Sequence, residues 1–350
     1  MIEKQNCQER TQVTSQNRLG TSQRRAGTAW ILIGLAVICV LSFGISLSMG
    51  SNKMSVDEII RALFIEDDSV ARLLVWNLRL PRVLTGALVG ICLSLSGCVL
   101  QGVMRNNLAS PSTIGVTSGA TFAAYLTLVA QPAWASYLPA ASFAGALATT
   151  LLIYLLSYRK GDNTSQLILS GLAVSALFGA FNSLIQTYFA EDLGNVAGFL
   201  VGGLNGVVWK HFFMILPYAL LGIVLTIFTP AKMNILLLGE ETAKSLGLET
   251  DRFRFLVIII SSLLAGAAIS VVGSISFVGL IVPHIARILV GSDYRYLFPA
   301  SAFLGAGLLM ICDSLGRVIM PPGEVPVGII MACLGAPFFL FLLRKNARRL

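Results

Sequence analysis

Residues 28–49 read TAWILIGLAVICVLSFGISLSM, with no charged side chain from Thr28 to Met49. A helix rises about 1.5 Å per residue and the hydrocarbon core of a bilayer is about 30 Å thick, so about 20 such residues suffice to cross it. Ahead of this run lies a polar tail carrying Lys4, Arg10, Arg18, Arg24 and Arg25. The run is longer than the apolar core of a cleaved signal peptide and lacks a small-residue cleavage site, so it predicts a retained first span.

Working outward, apolar runs broken by charges, prolines and glycine clusters recur along the chain. They predict spans near 29–49, 83–104, 108–130, 136–157, 164–189, 211–230, 253–274, 277–290, 297–316 and 326–343. The fold class expected is all-α, a polytopic membrane protein of about ten transmembrane helices. Of 350 residues, 55% are hydrophobic and 12% charged, and the mean hydropathy is +0.79. That much apolar surface needs lipid to cover it. The net charge of +8 sits in clusters at the ends and between apolar runs, which reads as topology rather than as a nucleic-acid footprint.

Basic residues at the N-terminus and at Arg344, Lys345, Arg348 and Arg349 place both termini in the cytoplasm, so the number of spans is even. The expected organisation is a cytoplasmic tail over 1–28, a membrane domain over 29–343 and a short cytoplasmic tail over 344–350. Arg105, the turn Tyr158-Arg159-Lys160, the loop 231–252 and Arg287 to Arg295 then fall inside, and Glu191-Asp192 outside. The eighth span is the weakest, being short and holding Pro283 and His284, and reads as a short or broken helix buried by neighbours. Glycines four apart, as in Gly86/Gly90, Gly115/Gly119 and Gly198/Gly202, suit close helix approach.

Chemistry-bearing groups are sparse. Two histidines and six cysteines without CxxC spacing offer neither a zinc site, a disulfide framework nor a catalytic cluster, so no cofactor, metal or enzymatic activity is expected. His284 beside Pro283 reads as a structural residue. The loop Leu238-Gly239-Glu240-Glu241-Thr242-Ala243-Lys244-Ser245-Leu246-Gly247-Leu248 lacks the glycines of a phosphate-binding loop despite Lys244-Ser245. It predicts a short helix from Gly239, with Glu240 and Glu241 in the first turn and Gly247 at the stop. Ala243 and Leu246 would share one side, giving either a docking knob or an ordered connector. On the opposite side of the membrane, Arg79 and Arg82 precede the second span and Arg317 ends the ninth, four residues after Asp313. They could snorkel to headgroups, pair locally, or meet an acidic partner.

Taken together, several pieces in one order resemble the iron-siderophore and cobalamin permeases of bacterial ABC importers, the FecCD type, over roughly residues 30–345. They are Leu78-Arg79-Leu80-Pro81-Arg82; Gly97 and Gln101 with Arg105-Asn106-Asn107-Leu108-Ala109; Gly115 to Ala120; Gly239-Glu240 with Ala243 to Gly247; Gly279 to His284 with Arg287; Glu324 to Gly328; and Leu334 to Pro337. The resemblance implies a dimeric ten-helix permease in the inner membrane, working by alternating access on a ferric siderophore, with cobalamin or haem as alternatives. It also implies two cytoplasmic ATPase subunits docked on Gly239, Glu240, Ala243, Leu246 and Gly247, and an external binding protein facing Arg79, Arg82 and Arg317. Departures from the family pattern are Asn107 for Pro, Phe199 for Trp and Gly203 for Ser. Two other classes fit a many-span chain: an ion-coupled transporter, which needs ionisable groups at mid-membrane, and a membrane-embedded enzyme, which needs a convergent catalytic cluster.

Overall fold

A computed structural model describes residues 27–50, 54–65, 69–112, 115–157, 164–189, 201–320 and 323–347. The turn Tyr158-Arg159-Lys160, Glu191-Asp192, Phe199, Arg348 and Arg349, and most of the N-terminal tail lie outside the described residues. The described chain is helical. Its elements are α1 (Gly27–Ser48), α2 (Val56–Phe64), α3 (Val70–Leu74), a π-helical turn (Val75–Arg79), α4 (Leu80–Val103), α5 (Val116–Ala130), α6 (Leu138–Ser157) and α7 (Thr164–Tyr188). There follow α8 (Trp209–Ile227), α9 (Pro230–Leu237), α10 (Glu240–Ser245), α11 (Thr250–Val272), α12 (Val278–Val290), α13 (Tyr294–Ile319) and α14 (Val327–Ala347).

Among the described residues, seven helices are long and apolar enough to cross a membrane, and α5, α12 and α14 are shorter apolar helices. Together they coincide with the ten apolar runs of the sequence. The chain is a multi-pass membrane protein. Burial separates an inner group from an outer one: 78% of the apolar window of α4 and of α11 is buried, against 22% for α1, α7 and α8. Helices α4, α11, α12 and α13 therefore form the packed centre, and α1, α7 and α8 leave leucines, isoleucines and valines exposed on the outside of the bundle.

Glycine makes the centre close enough. A Cβ on Gly97 of α4 would lie 1.9 Å from the Gly279 carbonyl of α12, and one on Gly90 would lie 2.2 Å from the Gly305 carbonyl of α13. The backbones are in direct contact, which is what allows α4 to run between two other helices.

Two elements complete the sequence reading, the first taking the short of its two alternatives, short or broken. The eighth span is a continuous helix, α12, with Pro283 inside it; it starts after Phe277 at φ 67° and stops at Gly291 at φ 82°. Its neighbours bury it, so a short helix suffices. The segment Asn77–Arg82, which precedes the second span predicted at 83–104, is itself helical: it belongs to one helical stretch of 34 residues from Val70 to Val103. Its charges interrupt the apolar run without interrupting the helix, because distant partners satisfy them.

Candidate functional site

The ends of the bundle carry the polar groups. At one end α1 finishes, α4 begins and α13 finishes, which brings Arg79, Arg82 and Arg317 together. Arg82 holds Asp313 in a fork, Nη2 to Oδ1 at 2.8 Å and Nε to Oδ2 at 3.0 Å, and its Nη1 donates to Glu324 Oε2 at 2.8 Å. Arg317 Nε lies 3.2 Å from the same Asp313, and its Nη2 donates to the Ser46 carbonyl at 2.9 Å and to Ser314 Oγ at 3.0 Å. Arg79 Nη1 donates to the carbonyls of Leu47, at 2.8 Å, and Ser48, at 3.3 Å, which lack helical partners at the end of α1. The cluster ties α1, α4, α13 and the segment before α14 into one joint.

This revises one expectation. Arg79 and Arg317 are not free external cations, since only 9% and 4% of their surface is exposed, and Asp313 is 3% exposed. An unpaired guanidinium at that burial would be costly, so the fold supplies a carboxylate or a carbonyl for each. The i,i+4 pairing of Asp313 with Arg317 was legible from spacing. Arg82 reaching the same carboxylate, and Glu324 joining it, were not.

The opposite end carries the loop 231–252. Gly239 at φ 111° starts α10 and Gly247 at φ 81° ends it. Gly247 N–H donates to the Lys244 carbonyl and Leu248 N–H to the Ala243 carbonyl, both at 3.0 Å, a Schellman closure that needs a left-handed residue at Gly247. Glu240 accepts from Lys244 Nζ at 2.7 Å and pairs with Arg254 of α11 at 3.0 Å, so this small helix is fixed to the start of a long one. The hydrogen bond from Lys244 holds the Glu240 carboxyl below its ordinary value of 4.5; partial burial opposes this and the charge of Arg254 assists. The same bond raises the Lys244 ammonium. Beside it opens a cleft of about 610 Å³, lined by Lys244, Gly247, Leu248, Glu249 and Thr250 to Arg252.

Ala243 and Leu246 do not share a face. Ala243 is fully buried within the chain, whereas Leu246 is 59% exposed. Leu246 is the helix's C-cap, its N–H still donating to the Thr242 carbonyl at 3.1 Å, and its side chain lies on the exposed side of the turn.

Two further ties at this end were not singled out from sequence. Asn234 of α9 donates to Asp293 at 2.7 Å and accepts from Tyr294 N–H at 3.0 Å, joining the loop to the start of α13. Arg287 of α12 donates to Gln101 at 3.1 Å and to Asn107 at 2.7 Å, clasping the turn after α4. Each pairs residues 59 to 186 positions apart, so no local pattern announces it. Among the described residues no three His, Cys, Asp or Glu side chains gather into a group that could hold a metal ion.

Thus α13 is a rod bound to the short-helix loop at Asp293 and to the arginine cluster at Asp313 and Arg317. Comparison with known proteins agrees with this architecture. The chain is 37% identical over 330 residues to the Fe(3+)-citrate import system permease protein YfmE of Bacillus subtilis (strain 168), covering 94% of this chain and 99% of that one. It is 40% identical over 280 residues to the cobalamin import system permease protein BtuC of Halobacterium salinarum, covering 80% of this chain and 75% of that one. A solved inward-facing conformation of a metal-chelate type ABC transporter superposes with a TM-score of 0.79 at 33% identity, over 91% of this chain and 99% of its own. The profile of the FecCD transport family matches residues 38–345, and the chain belongs to that family.

Proposed function

We propose that the protein is the membrane-spanning permease of a binding-protein-dependent ABC importer that carries a ferric siderophore or similar iron chelate inward by alternating access. It would pair with a second copy or a close relative. Relatives named for iron(3+)-citrate, iron(3+)-hydroxamate and siderophore transport support iron chelates over cobalamin. The basic termini orient the loop 231–252 to the cytoplasm and the arginine cluster outward, in a bacterial inner membrane.

The observation that carries the reading is the attachment of α10. A six-residue helix bounded by Gly239 and Gly247 and locked to α11 through Glu240 and Arg254 is a stiff projection able to pass a push into a membrane helix. Two cytoplasmic ATPase subunits would dock around Gly239, Glu240, Leu246 and Gly247, with Ala243 packing the projection from within. ATP hydrolysis belongs to those partners. The push would travel along α11 and α13, and the outer joint at Arg82 and Asp313 would shift with them. The binding protein would dock on the outer face over Arg79, Arg82 and Arg317, which brace that face from beneath through their pairs.

Uptake assays in vesicles test the proposal. Co-purified with its cognate ATPase and binding protein, the chain should accumulate radiolabelled ferric siderophore only with internal ATP. Uptake driven by an ion gradient without ATP would refute it. Mass spectrometry of ligand bound to the purified binding protein separates iron chelate from cobalamin and haem.

A further inference from the structure

The helix α2, between the first two spans, has an apolar surface wider than the protein covers. At 100° per residue, Ala62, Ile59, Leu63, Ile60 and Phe64 follow one another around about 200° of its circumference. Asp57, Glu58 and Arg61 occupy the remainder. Ala62 and Ile59 are buried, Leu63 is half-buried, and Ile60 and Phe64 are 52% and 82% exposed. The polar arc is self-contained: Asp57 pairs with Arg61 at 3.0 Å, and Ser55 and Glu58 cap the first turn reciprocally. The surface is thus divided in three, one arc on protein, one polar and one apolar but uncovered.

The depth of α2 identifies what covers the third arc. Ile59 packs in one cluster with Leu47 of α1, Val83 of α4 and Met310 of α13. All three belong to membrane-crossing helices, and Met310 stands nine residues before the end of α13. The preceding span, α1, is 22% buried and exposes Val40, Leu41 and Ile45 as it approaches this level. Nearby, Trp209 at the first turn of α8 donates its Nε1 to the Trp76 carbonyl at 2.9 Å, and paired tryptophans at a span's end mark the membrane–water boundary. The exposed flank of α2 therefore continues the lipid-facing surface of α1.

We infer that α2 lies in the plane of the membrane interface, with Ile60 and Phe64 inserted among phospholipid acyl chains and Asp57, Glu58 and Arg61 turned to water. Acyl chains are the occupant, since the polar arc holds both signs and gives no preference for anionic headgroups. The helix would then anchor the connection between α1 and the arginine joint.

The test uses the full chain in phospholipid nanodiscs. A benzophenone amino acid is placed singly at Asp57, Ile60, Arg61 or Phe64 in the otherwise native sequence, irradiated, and the adducts are weighed. Lipid adducts at Ile60 and Phe64, several-fold above those at Asp57 and Arg61, are expected. Adducts at Phe64 to a second copy or to the binding protein, or equal lipid yields at all four positions, would overturn the inference. As a second readout, nitroxides at the same positions of a cysteine-free chain should be reached by oxygen more than by a water-soluble nickel complex at Ile60 and Phe64, with the order reversed at Asp57 and Arg61. Nickel access at Phe64 matching that at Asp57 would equally overturn it. Replacing anionic lipid with zwitterionic lipid should leave both patterns unchanged.

Discussion

Arg82 and Asp313 meet in a two-point ion pair, at 2.8 and 3.0 Å, across 231 residues of sequence, and Arg317 shares the same carboxylate. Replacing Asp313 by Asn therefore leaves Arg317 without a carboxylate and Arg82 with Glu324 alone, in a largely buried site. The expected cost is about 3–5 kcal/mol, the range for breaking one side of a buried pair. Thermal unfolding in detergent measures it, and Glu324→Gln should cost less, because Glu324 is more exposed and touches Arg82 through one oxygen. By the same reasoning the double reversal Arg79→Glu with Arg82→Glu, which would leave stability unchanged if both arginines were surface cations, should unfold the protein.

Gly97→Ala tests the contact of α4 with α12. The new methyl would meet the Gly279 carbonyl at 1.9 Å, and since backbone stands on both sides the helices must part. We expect a loss of about 3 kcal/mol, the upper end of typical overpacking costs. Gly44→Ala in α1 is the control: nothing lies within 4 Å of its Cβ, and higher helix propensity should leave stability equal or better by up to about 1 kcal/mol. Melting temperatures of the two variants should move in opposite directions or differ by several degrees.

Leu246 and Ala243 separate docking from folding. Leu246→Asp changes an exposed side chain, so the chain should insert and melt as before while ATP-coupled uptake falls at least about tenfold, an interface loss on the order of 1.4 kcal/mol. Ala243→Arg forces a charge into a fully buried position and should cost on the order of 3 kcal/mol in folding before any partner binds. Uptake and melting measured together distinguish them.

Acid should loosen the short helix α10. Glu240 is depressed below 4.5 in the folded protein, chiefly by the Lys244 hydrogen bond, so its contribution is present above the unfolded value and is lost as pH falls through the folded one. Amide exchange across 239–247, corrected for intrinsic rates, should be steady near neutrality and quicken only below pH 4.5. Glu240→Gln should show the looser behaviour at neutral pH and no further acid step.

The ten apolar runs were legible because each bears the signature of a helix in lipid, and even the 13 residues of α12 showed as a short run around Pro283. The glycine-bounded helix at 239–247 was legible too, because Gly239 and Gly247 adopt positive φ, which glycine advertises. The true extent of the second span was hidden by Arg72, Arg79 and Arg82, whose charges read as an end when considered alone. Only the fold reveals that Asp313, Glu324 and the last carbonyls of α1 neutralise or bind two of them. Ala243 and Leu246 differ for another reason: the spacing of the short helix gave no sign of which flank the rest of the chain would cover, and it covers Ala243 while leaving Leu246 exposed. The small helix α2, with three charges in nine residues, gave no span signal at all.

The π-helical turn at Val75–Arg79, where Leu80 N–H reaches back five residues to the Val75 carbonyl, absorbs one residue more than an α-helix would hold over the same sweep. Deleting a single residue there would restore an unbroken α-helix and leave Val70–Leu74 within roughly a few tens of degrees of its present face. Deleting one from the regular turns at the start of α4 would instead rotate everything before it by about 100°, parting Trp76 from Trp209 and carrying α2 away from Leu47 and Met310. The five-residue window is therefore a slack link, where the chain can lose one unit of length and keep its outer arm on the same bearing.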